Sequence, residues 1–169
     1  MKSTICKIAI SVILSCFILL PLSAKQLFVS PEGDDSADGS SSGKAFKTMS
    51  KAVDAAEEGD EIVLLGIIDI SQEPADKIYN SDAYNKNNQG VKVLDKGLTI
   101  SGDPNQTRTK TGFTGNKTTT CLRLDGLNKK VTIRNLTIKE GNPTSDKGGG
   151  CFIRNANVEF ENVSFQNNQ

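Results

Sequence analysis

Val131-Thr132-Ile133-Arg134-Asn135-Leu136-Thr137-Ile138 returns 27 residues later as Val158-Glu159-Phe160-Glu161-Asn162-Val163-Ser164-Phe165. Every apolar residue of the first stretch meets an apolar residue of the second. Asn135 falls on Asn162 and Thr137 on Ser164. A repeat of this period marks a stacked, quasi-one-dimensional fold. The parity within each copy adds a bend. Val131 and Ile133 are odd, Leu136 and Ile138 even, so one flat strand cannot turn all four to the same side. Val158 and Phe160 against Val163 and Phe165 change parity at the same place. Each copy therefore reads as two short strands around a corner at the asparagine, a residue that tolerates the left-handed backbone a corner requires. Stacking the copies sets Asn135 under Asn162, where amides can hydrogen-bond as a ladder. The pattern predicts an all-β chain wound as a parallel β-helix, a solenoid. Arg134 is expected beside Glu161 on its outer face, as a solvated ion pair between rungs, and Thr132 beside Glu159.

Other segments fit around this repeat. Leu27-Phe28-Val29, Glu61-Ile62-Val63-Leu64-Leu65, Val91-Lys92-Val93, Leu98-Thr99-Ile100 and Cys121-Leu122-Arg123-Leu124 read as strands. The stretch from Glu61 has the look of a strand buried on both faces. Thr48 to Glu58 reads as the one helix, with Ala52, Val53, Ala55 and Ala56 on one face, Thr48 or Ser50 capping its start and Gly59 ending it. Residues 71–90 and 103–120 read as polar connections. If Leu122 and Leu124 face inward, Cys121 faces out while Cys151 faces in with Ile153, which argues against a disulfide between the two cysteines.

The chain opens with Lys2 and Lys7, then runs uncharged from Ile8 to Ala24, interrupted by Pro21. This is the pattern of a secretory signal peptide cleaved before Lys25, and the apolar run is short for a membrane-spanning helix. The sequence divides into a signal (1–24), an N-terminal cap of strand, loop, helix and strand (25–66), and β-helix rungs with polar insertions (67–169). Charge is balanced, with 20 basic and 20 acidic residues, which gives no reason to expect nucleic acid as a partner. There is no histidine, so Ser-His-Asp and Cys-His chemistry and His-ligated metal sites are excluded.

Two tetrapeptides stand out. Gly149-Gly150-Cys151-Phe152 opens the last copy and Phe165-Gln166-Asn167-Asn168 closes it; Phe113-Thr114-Gly115-Asn116 and Phe152-Ile153-Arg154-Asn155 share the second pattern. Together they resemble the paired Gly-Gly-x-x and Phe-x-x-Asn motifs of polymorphic outer membrane proteins, which makes Gly149, Gly150, Phe165 and Asn168, with the corner residues Asn135 and Asn162, the candidate structural motif. Leu27-Phe28-Val29-Ser30-Pro31-Glu32-Gly33, Asp38-Gly39, Ala45-Phe46-Lys47-Thr48, Ala52-Val53-Asp54-Ala55-Ala56 and Gly59-Asp60-Glu61-Ile62 resemble the N-terminal cap of bacterial right-handed β-helix proteins with the pectin-lyase-like fold. The resemblance implies a right-handed helix with a short capping helix, secretion to the cell surface or outer membrane, and contact with a host or neighbouring cell. Relatives of this kind carry many copies and a terminal membrane β-barrel. With few copies and nothing after Phe165 to cover the last rung, the solenoid is expected to be incomplete at its C-terminus. Either the missing C-terminal part of a longer parent or a partner then completes it, and the membrane is met only through export or that barrel.

The resulting expectation is a structural or adhesive surface module that is not an enzyme. The alternative is a secreted polysaccharide lyase or hydrolase, or a carbohydrate-binding β-helix, since enzymes of this fold need clustered carboxylates. The acidic residues after Gly90 (Asp95, Asp103, Asp125, Glu140, Asp146, Glu159 and Glu161) are scattered; only Glu140 and Asp146 could meet across one loop. No cofactor is implied. Asp34, Ser36, Asp38 and Gly39 imitate the start of a calcium loop, but Ala45 stands where its bidentate glutamate belongs. Lys147 precedes Gly148-Gly149-Gly150, the reverse of a phosphate-binding loop, so the glycines are read as a tight turn.

Overall fold

The computed structural model describes residues 24–78, 90–143 and 148–169. The signal-like segment, most of the 71–90 connection and Asp146 lie outside the described residues. Strands β1 (Gln26–Val29), β2 (Glu61–Leu64), β3 (Ile67–Asp69), β4 (Val91–Lys92), β5 (Thr99–Gly102), β6 (Gly112–Thr114), β7 (Leu122–Arg134), β8 (Thr137–Lys139), β9 (Cys151–Glu161) and β10 (Ser164–Gln166) dominate, with one short helix, α1 (Met49–Ala55). The fold is all-β. Its strands form two sheets whose named strands pair only in parallel: β1-β2-β5-β7 with β9 and β4 also on β7, and β3-β6-β8-β10. From β2 onward the chain passes four times from the first sheet to the second, through β2–β3, β5–β6, β7–β8 and β9–β10.

The 27-residue offset is the register between the two copies of the repeat. Val131 pairs with Val158, Ile133 with Phe160 and Ile138 with Phe165. The joints lie at Asn135 (φ 55°) and Asn162 (φ 51°), both left-handed. Leu27, Ile62, Ile100, Ile133 and Phe160 form one inward column through five strands, and all but the last are buried. Each full burial of this kind is worth roughly 1.5–3 kcal/mol, so the stack is held mainly by its inner columns. The long strands contain a second bend. Gly126 (φ 68°) and Asn155 (φ 46°) occupy matching positions next to the Asp125–Arg154 pair, and the register slips by two residues between Leu127 and Val131.

Several expectations are corrected. The helix stops at Ala55, short of Glu58. The Lys96 ammonium donates to the carbonyls of Val53 (2.9 Å), Asp54 (3.2 Å) and Ala56 (2.7 Å), satisfying the helix end without a further turn. Thr48 is its N-cap, accepting from the Lys51 amide, and two distant carboxylates help hold the start. Asp35 accepts from the Lys47 and Thr48 amides, and Glu73 from the Met49 amide (2.6 Å), the Ser50 amide (3.1 Å) and the Ser50 hydroxyl (2.5 Å). Burial pushes the Glu73 carboxyl up, against the pull of those hydrogen bonds. The 103–120 connection contains β6, and β3 follows directly on the turn after β2. Cys121 is buried, not outward: the strand begins one residue later, at Leu122, and the Cys121 thiol turns to donate to the Lys139 carbonyl (3.5 Å). Both Cys121 and Cys151 are free thiols.

The two ends of the stack differ. At β1 the chain folds back over the edge: Phe46 is buried, its amide donates to Phe28 O (2.8 Å), and the Phe28 amide donates to Gly39 O (2.9 Å). At the other end β9 pairs only with β7 and β10 only with β8. Their inward residues are correspondingly less covered. Ile153 is 48% exposed and Phe165 50%, and Val158, Phe160 and Val163 are half-buried.

Candidate functional site

The candidate motif residues fall into two contacts. At the first corner the Asn162 amide donates to Asn135 Oδ1 (3.0 Å), and the Arg108 guanidinium donates to Asn162 Oδ1 (2.6 Å). These residues line a cleft of about 480 Å³ with Asp103, Pro104, Gln106 and Thr107. The left-handed backbone and the amide bond are separable. Asn162→Ala is expected to cost about 2 kcal/mol, because alanine resists the left-handed region and loses the amide, whereas Asn162→Gly should cost only about half as much. Urea unfolding of both variants checks this; equal losses would remove the backbone part of the explanation.

The second contact joins the two tetrapeptides of the last copy. A side chain on Gly150 would meet the Asn168 amide carbon at 3.1 Å and the Phe165 ring at 3.2 Å, and one on Gly149 would lie 2.2 Å from Gln169 O. The glycines are bare so that the end of the last copy can lie on its beginning. Asn168 then clamps the preceding turn: its amide donates to Ile138 O (2.9 Å), and its Oδ1 accepts from the Gly141 amide (2.9 Å). The Gly149 carbonyl in turn packs against Gly141, where a Cβ would come within 1.8 Å. The six residues thus serve backbone packing and corner geometry at two separate places.

The acidic residues divide differently from the sequence reading. Arg134 registers with Glu161, but its guanidinium reaches back to Glu61 (2.8 Å). Glu61 also accepts from Gln26 (3.0 Å) and Ser101 (2.7 Å). Burial pulls the Glu61 carboxyl up, but the hydrogen bonds from Gln26, Arg134 and Ser101 outweigh it, and its pKa is lowered. Glu159 pairs with Lys130. Glu140 accepts from the Thr114 hydroxyl (3.0 Å). Asp34 and Asp38 each accept from an amide two residues on, Ser36 (2.8 Å) and Ser40 (3.0 Å), closing their own turns. Among the described residues no three His, Cys, Asp or Glu side chains are grouped to hold a metal.

The chain matches no protein-family model, no curated protein and no solved structure.

One cluster escaped the sequence reading. On the outer face of β7 and β9, Asp125 accepts a two-pronged contact from Arg154 (2.9 and 2.7 Å) and another from Arg123 (2.6 Å). The Arg123 guanidinium stands 4.4 Å from the Phe152 ring centre and Arg154 stands 5.7 Å from it. Arg123 is only 2% exposed. The signal lay just ahead of the 27-residue repeat, where Arg123-Leu124-Asp125 aligns with Phe152-Ile153-Arg154 at a 29-residue offset. The thiols beside this strand pair are inert in character: burial pushes Cys121 up to about 12 and raises Cys151 as well.

Proposed function

We propose that the chain is an exported surface protein built as a right-handed parallel β-helix, with residues 25–66 as its cap and 67–169 as its rungs, and with a structural or adhesive role at the cell surface or outer membrane. The observation that carries this reading is the in-register parallel stacking of β2–β3, β5–β6, β7–β8 and β9–β10, with apolar columns inside and polar rows outside. Parallel crossovers are right-handed in nearly all proteins, which supports the hand. The signal-like opening and the resemblance to polymorphic outer membrane proteins support the location, and contact with a host or neighbouring cell follows from it. The carbohydrate-active alternative gains nothing from Glu61, whose oxygens are engaged by Gln26, Ser101 and Arg134.

The test is made in the producing cell. A chain tagged at its C-terminus is expected to begin at Lys25 by N-terminal sequencing, and its tag should be removed when intact cells are treated with protease. A chain that keeps Met1 and stays protected until lysis would overturn the reading.

A further inference from the structure

We infer that two copies of this chain join end to end, β9 against β9 of the second copy, antiparallel, about a two-fold axis through the Asn155–Ala156 bend. The inference uses only the geometry of the open end and does not depend on where the protein resides.

The inward residues of β9 are those that register with buried residues of β7. Cys151 pairs with Leu122, Ile153 with Leu124, Ala156 with Leu127, Val158 with Val131 and Phe160 with Ile133. The outward residues are Phe152, Arg154, Asn157 and Glu159. A straight strand alternates strictly, and most antiparallel self-pairings of a bent one would set inward residues against outward ones. The left-handed residue Asn155 changes this. With the axis between Asn155 and Ala156, Ile153 faces the second copy's Val158 and Cys151 faces its Phe160, all inward. Phe152 faces the other Glu159 and Arg154 the other Asn157, all outward. A two-fold axis lying in the plane of the rung and bisecting the bend maps one leg of β9 onto the other and leaves inside and outside unchanged. An isologous interface requires that self-complementarity.

Charge agrees with the register. Arg154 becomes the diagonal neighbour of the second copy's Glu159 on the outer row, within reach of long side chains, and symmetry makes the contact twice. The arrangement pairs the exposed edge of the longest strand in the open rung and covers Ile153, Val158 and Phe160, the inward residues left partly bare. The neighbouring edge of β10 is open in the same way beside Phe165, whereas β1, at the opposite end, is covered by the loop carrying Phe46.

Analytical ultracentrifugation of the full chain, from about 1 to 100 µM, is expected to show a monomer–dimer equilibrium. Ile153→Lys should weaken it about ten-fold or more while leaving the far-UV circular dichroism unchanged. The register is read separately. With Cys6 and Cys16 changed to serine, a chain carrying Arg154→Cys mixed with one carrying Asn157→Cys should be joined by a short bis-maleimide as the mixed dimer in preference to either like pair; Cys121, buried, and Cys151, half-buried, both with raised pKa, should contribute little. A monomer throughout, a dimer indifferent to Ile153→Lys, or a preference for like pairs would each overturn the inference. Assembly is measured on purified chain and export in cells, so either proposal can fail without the other.

Discussion

Gly141→Ala is expected to remove a large part of the stability of the fold. A methyl at this position would lie 1.8 Å from the carbonyl oxygen of Gly149, 2.3 Å from its carbonyl carbon and 3.0 Å from the Gly150 nitrogen. All three are backbone atoms of the next turn, so no rotamer change relieves the overlap. The turns must separate, and the separation breaks two bonds that join them, from the Gly141 amide to Asn168 Oδ1 (2.9 Å) and from the Gln169 amide to Gly141 O (2.9 Å). Overpacking alone costs roughly 1–3 kcal/mol, and each lost bond about 1 more. A total of about 3–5 kcal/mol is a large part of the 5–15 kcal/mol typical of a domain. Gly43→Ala is the control. Its methyl would meet nothing within 4 Å, and the change should stay within about 0.5 kcal/mol. Urea midpoints followed by circular dichroism compare the two. Equal midpoints would show that the turns yield, and that the glycines of the tetrapeptide are not there for close approach.

What could be read from the sequence was set by how many residues carried each signal. The corner at Asn135 and Asn162 is flanked by four apolar residues in each copy, so both the repeat and the change of parity were visible. The second corner was not. It is made by Gly126 in one copy and Asn155 in the other, and the offset there is 29 residues before it returns to 27, so no single alignment shows both. The short strands β3 and β6 bury one large side chain each, Ile68 and Phe113, too little for an alternation to appear. The helix end and its N-terminal clamp depend on Lys96 and Glu73, which lie far along the chain and meet α1 only in the folded protein. Arg134 shows the same limit. Register gave it Glu161 as a neighbour, but Ser101 is small enough for the guanidinium to cross β5 to Glu61, and the serine hydroxyl donates to the same carboxylate oxygen.

The outer-face cluster supplies the second large effect. Asp125→Asn keeps the shape of the side chain and removes the charge that Arg123 and Arg154 share. An asparagine oxygen in the place of Oδ2 still accepts from both guanidinium groups, but its NH₂ then faces Arg154 Nε, donor against donor. Arg123 cannot move into water, because it is 2% exposed and lies against the Phe152 ring. Removing one member of a buried ionic group costs about 3–5 kcal/mol, since the remaining charge stays buried, and a loss near the lower end is expected because Asp125 itself is partly exposed. The pH dependence is specific. Hydrogen bonding from Arg154 holds the Asp125 carboxyl at about 2, below its ordinary value. A depressed carboxyl stabilises the fold above its unfolded pKa, about 3.9, and that contribution is lost as pH falls through that value toward the folded one. The difference in unfolding free energy between the parent chain and Asp125→Asn should therefore be flat above about pH 5 and shrink steadily toward pH 2. Other carboxylates titrate in both proteins and cancel in the difference. If the gap between the two unfolding curves has the same size at pH 3 as at pH 7, Asp125 is not acting through its charge, and Phe152 with the two arginines must hold this face of the stack without it.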